Sequence, residues 1–140
     1  MSILLVINIV FDVILDMINR KEQSRRGEKL INNLLKKSVW VNKIKEKGLP
    51  YEIIWNNVLI DVKTTSNLIG NWFSFYDNSP DPESNVILVL VAFWNKRIKI
   101  WIDDGKSGKY TISKKITSDY IKQKNFEKEF SNFITSKVST

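Results

Sequence analysis

Val86 to Trp94 reads VILVLVAFW, an unbroken apolar run between two polar stretches. A half-buried strand alternates apolar and polar residues, and this run does not, so both of its faces must be covered. It is therefore expected to be the central strand of a sheet. RIKIWID, residues 97–103, does alternate and is expected to lie beside it as a half-buried strand. The cover is expected from helices. In SRRGEKLINNLLKK, Ser24 can cap a helix whose apolar face carries Leu30, Ile31, Leu34 and Leu35, with Lys36 and Lys37 near its C-terminus. In ITSDYIKQKNFEKEFSNFITSK, the spacing of Tyr120, Ile121, Phe126, Phe130, Phe133 and Ile134 predicts a closing amphipathic helix.

Shorter signals fill the middle of the chain. SVWVNKI is expected to be a strand and KEKGLP a turn. SNLIGNWFSFY is a strand or short helix before a polar loop, and YTIS is a further short strand after the turn DGKSGKY. With 140 residues and 43% hydrophobic content, these elements make one α/β domain over residues 1–140, a mixed sheet flanked by helices. The first twenty residues, MSILLVINIVFDVILDMINR, add an apolar helix. Its apolar part is shorter than the roughly 20 residues that span a bilayer, and it has neither a basic start nor a small-residue cleavage site. Asn8, Asp12, Asp16 and Asn19 form one polar stripe on it. A mostly buried helix or a dimer contact is the expected role, membrane attachment the lesser one, and the location intracellular.

The chain has no cysteine and no histidine. Disulfides, thiolate metal sites, histidine-ligated zinc and every histidine-based acid, base or triad are excluded. Any catalysis must use carboxylates, lysine, tyrosine or a hard cation with oxygen ligands. The net charge of +7 suits an acidic partner such as nucleic acid, or simply a lysine-rich proteome.

EIIWNNVLIDVK, residues 52–63, reads as two apolar strands around a two-residue Asn56-Asn57 turn. That register sets Trp55 against Val58, Ile54 against Leu59, Ile53 against Ile60 and Glu52 against Asp61. Glu52, Asp61 and Lys63 then share one face. Two opposed carboxylates with Cβ atoms about 5 Å apart destabilise a hairpin unless a cation lies between them. Two carboxylates, water and a substrate phosphate are a normal Mg²⁺ environment. Lys63 is placed to orient or help deprotonate the attacking water, or to stabilise charge on the phosphate. Asp61 and Lys63 can also be read as a solvated surface pair.

An acid followed, at the end of a hairpin's second strand, by IDVK resembles the PD-(D/E)XK nuclease superfamily. Its motif is a first acid, then an Asp or Glu, any residue, and a Lys. Glu52 matches the first acid, Asp61 the second and Lys63 the lysine. RRGEKLINNLLKKSVWVNKI resembles the first helix and strand of archaeal-type Holliday junction resolvases within that superfamily, a Gly, a Glu on a leucine-rich helix, and a strand bearing basic residues. Glu28 is the matching glutamate, and the resemblance implies that it completes the metal shell or helps position water. The resemblance spans Arg25 to Ser66. The chain departs from the pattern in three places. The first acid is Glu, Pro50 stands one residue too early, and Asp61 is one methylene shorter than the commoner Glu.

The resemblance implies a restriction-endonuclease-like core and a Mg²⁺-dependent DNA endonuclease, with Mn²⁺ substituting, selective for DNA structure in the manner of a junction resolvase. It implies a homodimer and no small-molecule cofactor. The alternative is a DNA-binding or assembly protein that keeps the fold without turnover, and a third reading is a scaffold that associates through the N-terminal helix. Arg25, Arg26, Lys29, Lys36, Lys37, Lys43 and Lys45 are the candidate phosphate contacts, or else an ordinary solvated surface. The five tryptophans are expected to be mostly core.

Overall fold

The computed structural model describes residues 2–41 and 48–138. The chain opens with α1 (Ile3–Leu34). Eight strands follow: β1 (Val39–Trp40), β2 (Ile53–Trp55), β3 (Val58–Thr65), β4 (Leu68–Ile69), β5 (Trp72–Tyr76), β6 (Val86–Trp94), β7 (Arg97–Asp103) and β8 (Thr111–Lys115). A 3-10 turn at Gln123–Asn125 leads into α2 (Phe126–Val138). Five strands form a mixed sheet in the order β1-β2-β3-β6-β7, in which β3 and β6 run parallel and the other pairs antiparallel. The remaining three, β4-β5-β8, form a separate antiparallel sheet.

β6 is the central strand that its composition demands, bonded to β3 on one side and β7 on the other. Its side chains alternate between two cores. Ile87, Val89 and Val91 pack with Ile31 and Leu35, at the end of α1, and with Phe126 and Phe130 of α2. Leu88, Leu90 and Ala92 pack with Phe73 and Phe75 of β5 and with Trp101. The helical cover is thus confined to one face, and strands cover the other. WFSFY explains why: Phe73 and Phe75 point inward while Trp72 and Tyr76 face solvent, the alternation of a strand with one buried side. Trp55 and Trp101 are core as expected, whereas Trp72 and Trp94 are 48% and 36% exposed.

α1 corrects the expectation of two helices. Ser2 is the cap, its Oγ accepting from the Leu5 N–H at 3.2 Å. No proline interrupts the 32 residues that follow, so the helix runs through Ser24 without a break. The side chains of Ile3 to Ile18 are not buried against this chain; Ile3 is 80% and Phe11 64% exposed. Among the described residues no helix is long and apolar enough to cross a membrane. α2 starts later than its spacing suggested. Ser118 N–H closes a turn on Lys115 O, and Ile121 N–H donates to Ile100 O at 2.8 Å, so this stretch is tied to β7 in extended form.

α1 meets β3 where Gly27 faces Thr64. A Cβ on Gly27 would overlap Thr64 Cγ2 and lie 3.5 Å from Val62 Cγ1. Alanine is favoured over glycine inside a helix by about 1 kcal/mol, but forcing a methyl into a packed core costs about 1–3 kcal/mol. Thr64 is β-branched and cannot easily turn away, so the overlap wins. Gly27→Ala is expected to lower the urea midpoint, with a net loss of about 1 kcal/mol. Adding Thr64→Ser, which removes the overlapping methyl, is expected to restore it.

Candidate active site

Asn56 and Asn57 both have positive φ, 46° and 63°. That is the pair of left-handed residues a type I′ turn needs, and asparagine tolerates it better than most. The register follows as expected: Trp55 opposite Val58, Ile54 opposite Leu59, Ile53 opposite Ile60. The fourth expected pair is not a ladder pair. β2 stops at Ile53, and Glu52 N–H donates to Ile60 O at 2.9 Å while Glu52 C=O accepts from Val41 N–H at 2.7 Å. Glu52 Oε2 then accepts from Val62 N–H at 3.2 Å. A side-chain carboxylate stands where a backbone carbonyl would have continued the ladder, and this brings the Glu52 carboxyl beside Asp61.

Alternation along β3 sends Ile60 and Val62 into the helical core and Asp61 and Lys63 to the opposite face. Asp61 is only 8% exposed. Lys63 Nζ lies 3.0 Å from Asp61 Oδ2 and 3.8 Å from Asp77 Oδ1. Asp77 follows β5 in the small sheet, where its N–H donates to Tyr110 O at 2.8 Å and its Oδ1 accepts from Ser79 N–H at 3.2 Å. Asp61 Oδ1 is buried and accepts from no N–H or hydroxyl group, which leaves it open to a carboxyl proton.

These distances set the electrostatics. Burial, then the charge of Asp61 and a hydrogen bond to it, then the charge of Glu28, push the Glu52 carboxyl up to about 9, against the pull of the Val62 N–H. Burial pushes the Lys63 ammonium down, but Asp61, Asp77 and Glu52 outweigh it and the net shift is upward. Lys63 is therefore a persistent cation, suited to orienting groups and stabilising charge rather than to removing a proton. Glu28 is buried on the helical side, accepting from Trp40 Nε1 at 3.1 Å. Its charge reaches Glu52, but it does not wall the cleft.

That cleft, about 620 Å³, is bounded by Glu52, Asp61, Lys63, Asp77 and Asp81 and by the loop that follows Asp77. Its wall carries four carboxyls against one ammonium, so an anion cannot enter without a compensating cation. Every donor is oxygen, which suits a hard cation. Among the described residues no three acidic side chains are grouped as a ready cation cage. Glu52 and Asp61, two neighbouring carboxyls that share one proton, nonetheless fit the way Mg²⁺ is usually held, by one or two carboxylates, several waters and a phosphate.

The candidate phosphate contacts are not gathered here. Arg25, Arg26 and Lys29 are exposed residues of α1, and none of them walls this cleft. Lys36 and Lys37 follow the end of α1, and Lys36 N–H donates to Glu127 Oε2 at 2.6 Å. Lys43 and Lys45 lie outside the described residues. Thr64 accepts from Gln23 Nε2 at 3.4 Å and Thr65 Oγ1 from Asn67 N–H at 3.3 Å, so both serve local structure. No family model matches the chain, and no curated protein and no solved structure matches it.

The Glu52 shift has a direct consequence for stability. An unfolded chain releases this proton near the ordinary value of 4.5, whereas the folded protein keeps it to about 9. Between those limits the folded state binds more protons, so stability falls as pH rises. Urea unfolding in metal-free buffer is expected to show a decline from about pH 5 to about pH 9, at most about 1.4 kcal/mol per pH unit. Glu52→Gln is expected to flatten it.

Proposed function

We propose that this chain is a metal-dependent DNA endonuclease of the restriction-endonuclease-like class, with the active-site arrangement of a Holliday junction resolvase. The observation that carries the reading is the close pair of carboxyls, Asp61 and the proton-holding Glu52 beside it, with Asp61 Oδ2 3.0 Å from Lys63. A mixed sheet that presents an acid and a lysine two residues apart on one strand, with a second acid just ahead of the preceding strand, supports it.

Glu52 and Asp61 would hold a Mg²⁺ or Mn²⁺ ion. When bound, a divalent cation supplies positive charge that polarises a phosphoryl oxygen and makes water more acidic. To act as a ligand Glu52 would have to give up the proton it keeps in the metal-free protein, since a carboxyl binds a cation in its ionised form. Lys63 donates hydrogen bonds to a non-bridging phosphate oxygen or to the attacking water and stabilises the negative charge that develops. Asp77 keeps Lys63 pointed into the cleft when the charge of Asp61 is engaged elsewhere. Glu28 raises the negative potential at Glu52 from behind the sheet. A homodimer would supply one such site for each strand of a duplex, by analogy with resolvases.

A second reading, a DNA-binding or assembly protein that keeps the site without turnover, is favoured by the absence of a grouped third carboxylate among the described residues. Nicking of supercoiled plasmid in Mg²⁺ or Mn²⁺ separates the two. Wild-type protein is expected to cut, with Asp61→Asn and Lys63→Ala each slower by about 100-fold or more. Equal cutting by both variants would sink the site assignment. DNA retention without cutting in either metal would establish the second reading.

A further inference from the structure

A second cleft, about 650 Å³, lies between the middle of α1 and the β6–β7 hairpin. It shares no wall residue with the acidic cleft. The parallel strands β3 and β6 both point their carboxyl ends at it, through Ser66 and through Phe93 and Trp94. Crevices beyond the carboxyl ends of parallel strands are where ligands of α/β sheets commonly bind. The acidic cleft lies toward the opposite ends of the same strands, at Asp61, Val86 and Leu88.

The chemistry of the two clefts is opposite. Here Arg26, Lys96 and Arg97 face one acid, Glu22. Among the described residues none of these three cations is in an ion pair. The Arg26 guanidinium lies over the Phe93 ring, 4.4 Å from its centroid, which holds it without neutralising it and leaves N–H groups for an anion. Lys96 occupies the second left-handed position of the two-residue hairpin turn, with φ 61°, where glycine would be less strained. The ammonium is kept at the mouth of the cleft at a conformational cost.

We infer that this cleft binds the phosphodiester backbone of DNA through Arg26, Lys96 and Arg97, away from the bond that is cut. The inference rests on the reading of the chain as acting on DNA, but not on turnover. It explains how a protein whose catalytic cleft is acidic retains a polyanion: affinity comes from one end of the strand pair and chemistry from the other. Contacts of this kind carry no sequence information and are salt-dependent.

The test is binding of a labelled DNA duplex, by fluorescence anisotropy in EDTA across a range of salt, with plasmid nicking in Mg²⁺ run alongside. The variant is Lys96→Gly with Arg97→Gln, which removes two charges from exposed positions and relaxes the turn, so its melting temperature is expected to hold or rise. Its affinity is expected to fall at least about tenfold, and its log-log salt slope to shrink by about 2. The charge-matched control, Lys124→Gln with Lys128→Gln in the 3-10 turn and the first part of α2, is expected to leave both nearly unchanged. Equal losses in the two pairs, or an unchanged salt slope in the cleft pair, would overturn the inference. Tight binding of inorganic triphosphate together with failure to bind DNA would overturn it in favour of a free phosphate ligand. Loss of binding in the cleft pair while Asp61→Asn still nicks as wild type would uphold it and remove only the active-site reading.

Discussion

A carboxylate buried in the middle of a strand bonded on both sides sets the terms for everything near it. Asp61 cannot move away, because β3 is held by β2 and β6, and its neighbours Ile60 and Val62 are locked into the helical core. The surroundings respond instead. Glu52 keeps a proton, Lys63 keeps its own more tightly, and Asp77 crosses from a different sheet to share the lysine. Each of these answers the charge of Asp61, and for Glu52 burial weighs more still. They also leave a position that a divalent cation would satisfy better than a single proton does.

The parts of this arrangement that could be read in the sequence are those fixed by local rules. VILVLVAFW could only be a strand covered on both faces, and Asn56-Asn57 fixed three residue pairs through turn chemistry alone. The shared face of Asp61 and Lys63 followed from the alternation of a strand. What could not be read depends on pairing between distant segments. The small sheet exists because WFSFY finds TISKK, a partner far along the chain. Asp77 was hidden for the same reason. It stands in a Pro- and Ser-rich stretch that reads as a connector, and only the docking of β5 brings it to Lys63. Glu52 reached its place by a route that register arguments do not contain, a side chain completing a backbone ladder.

The helices show the same limit from the other side. Ser24 has the chemistry of a cap, but a cap acts only where a helix begins, and nothing in residues 3–34 stops the helix that Ser2 starts. Near the C-terminus, Tyr120 and Ile121 fall at helical spacing yet serve the sheet, Ile121 by its bridge to Ile100 and Tyr120 by its ring against Trp101. Periodicity records which residues are wanted in a core, not which element delivers them.

The two partners of β3 are secured by different means. Its register with β6 rests on seven consecutive pairs and two packed cores, whereas its register with β2 rests on three pairs and the turn between them. A residue gained or lost at Asn56-Asn57 therefore slides β2 alone. Ile53 and Trp55, which β2 lends to the helical core, would turn to the other face, and Glu52 would be carried away from Val62 and Asp61. Heredity cannot lengthen or shorten this turn by one residue without exposing a tryptophan, so the packing stands guard over the chemistry.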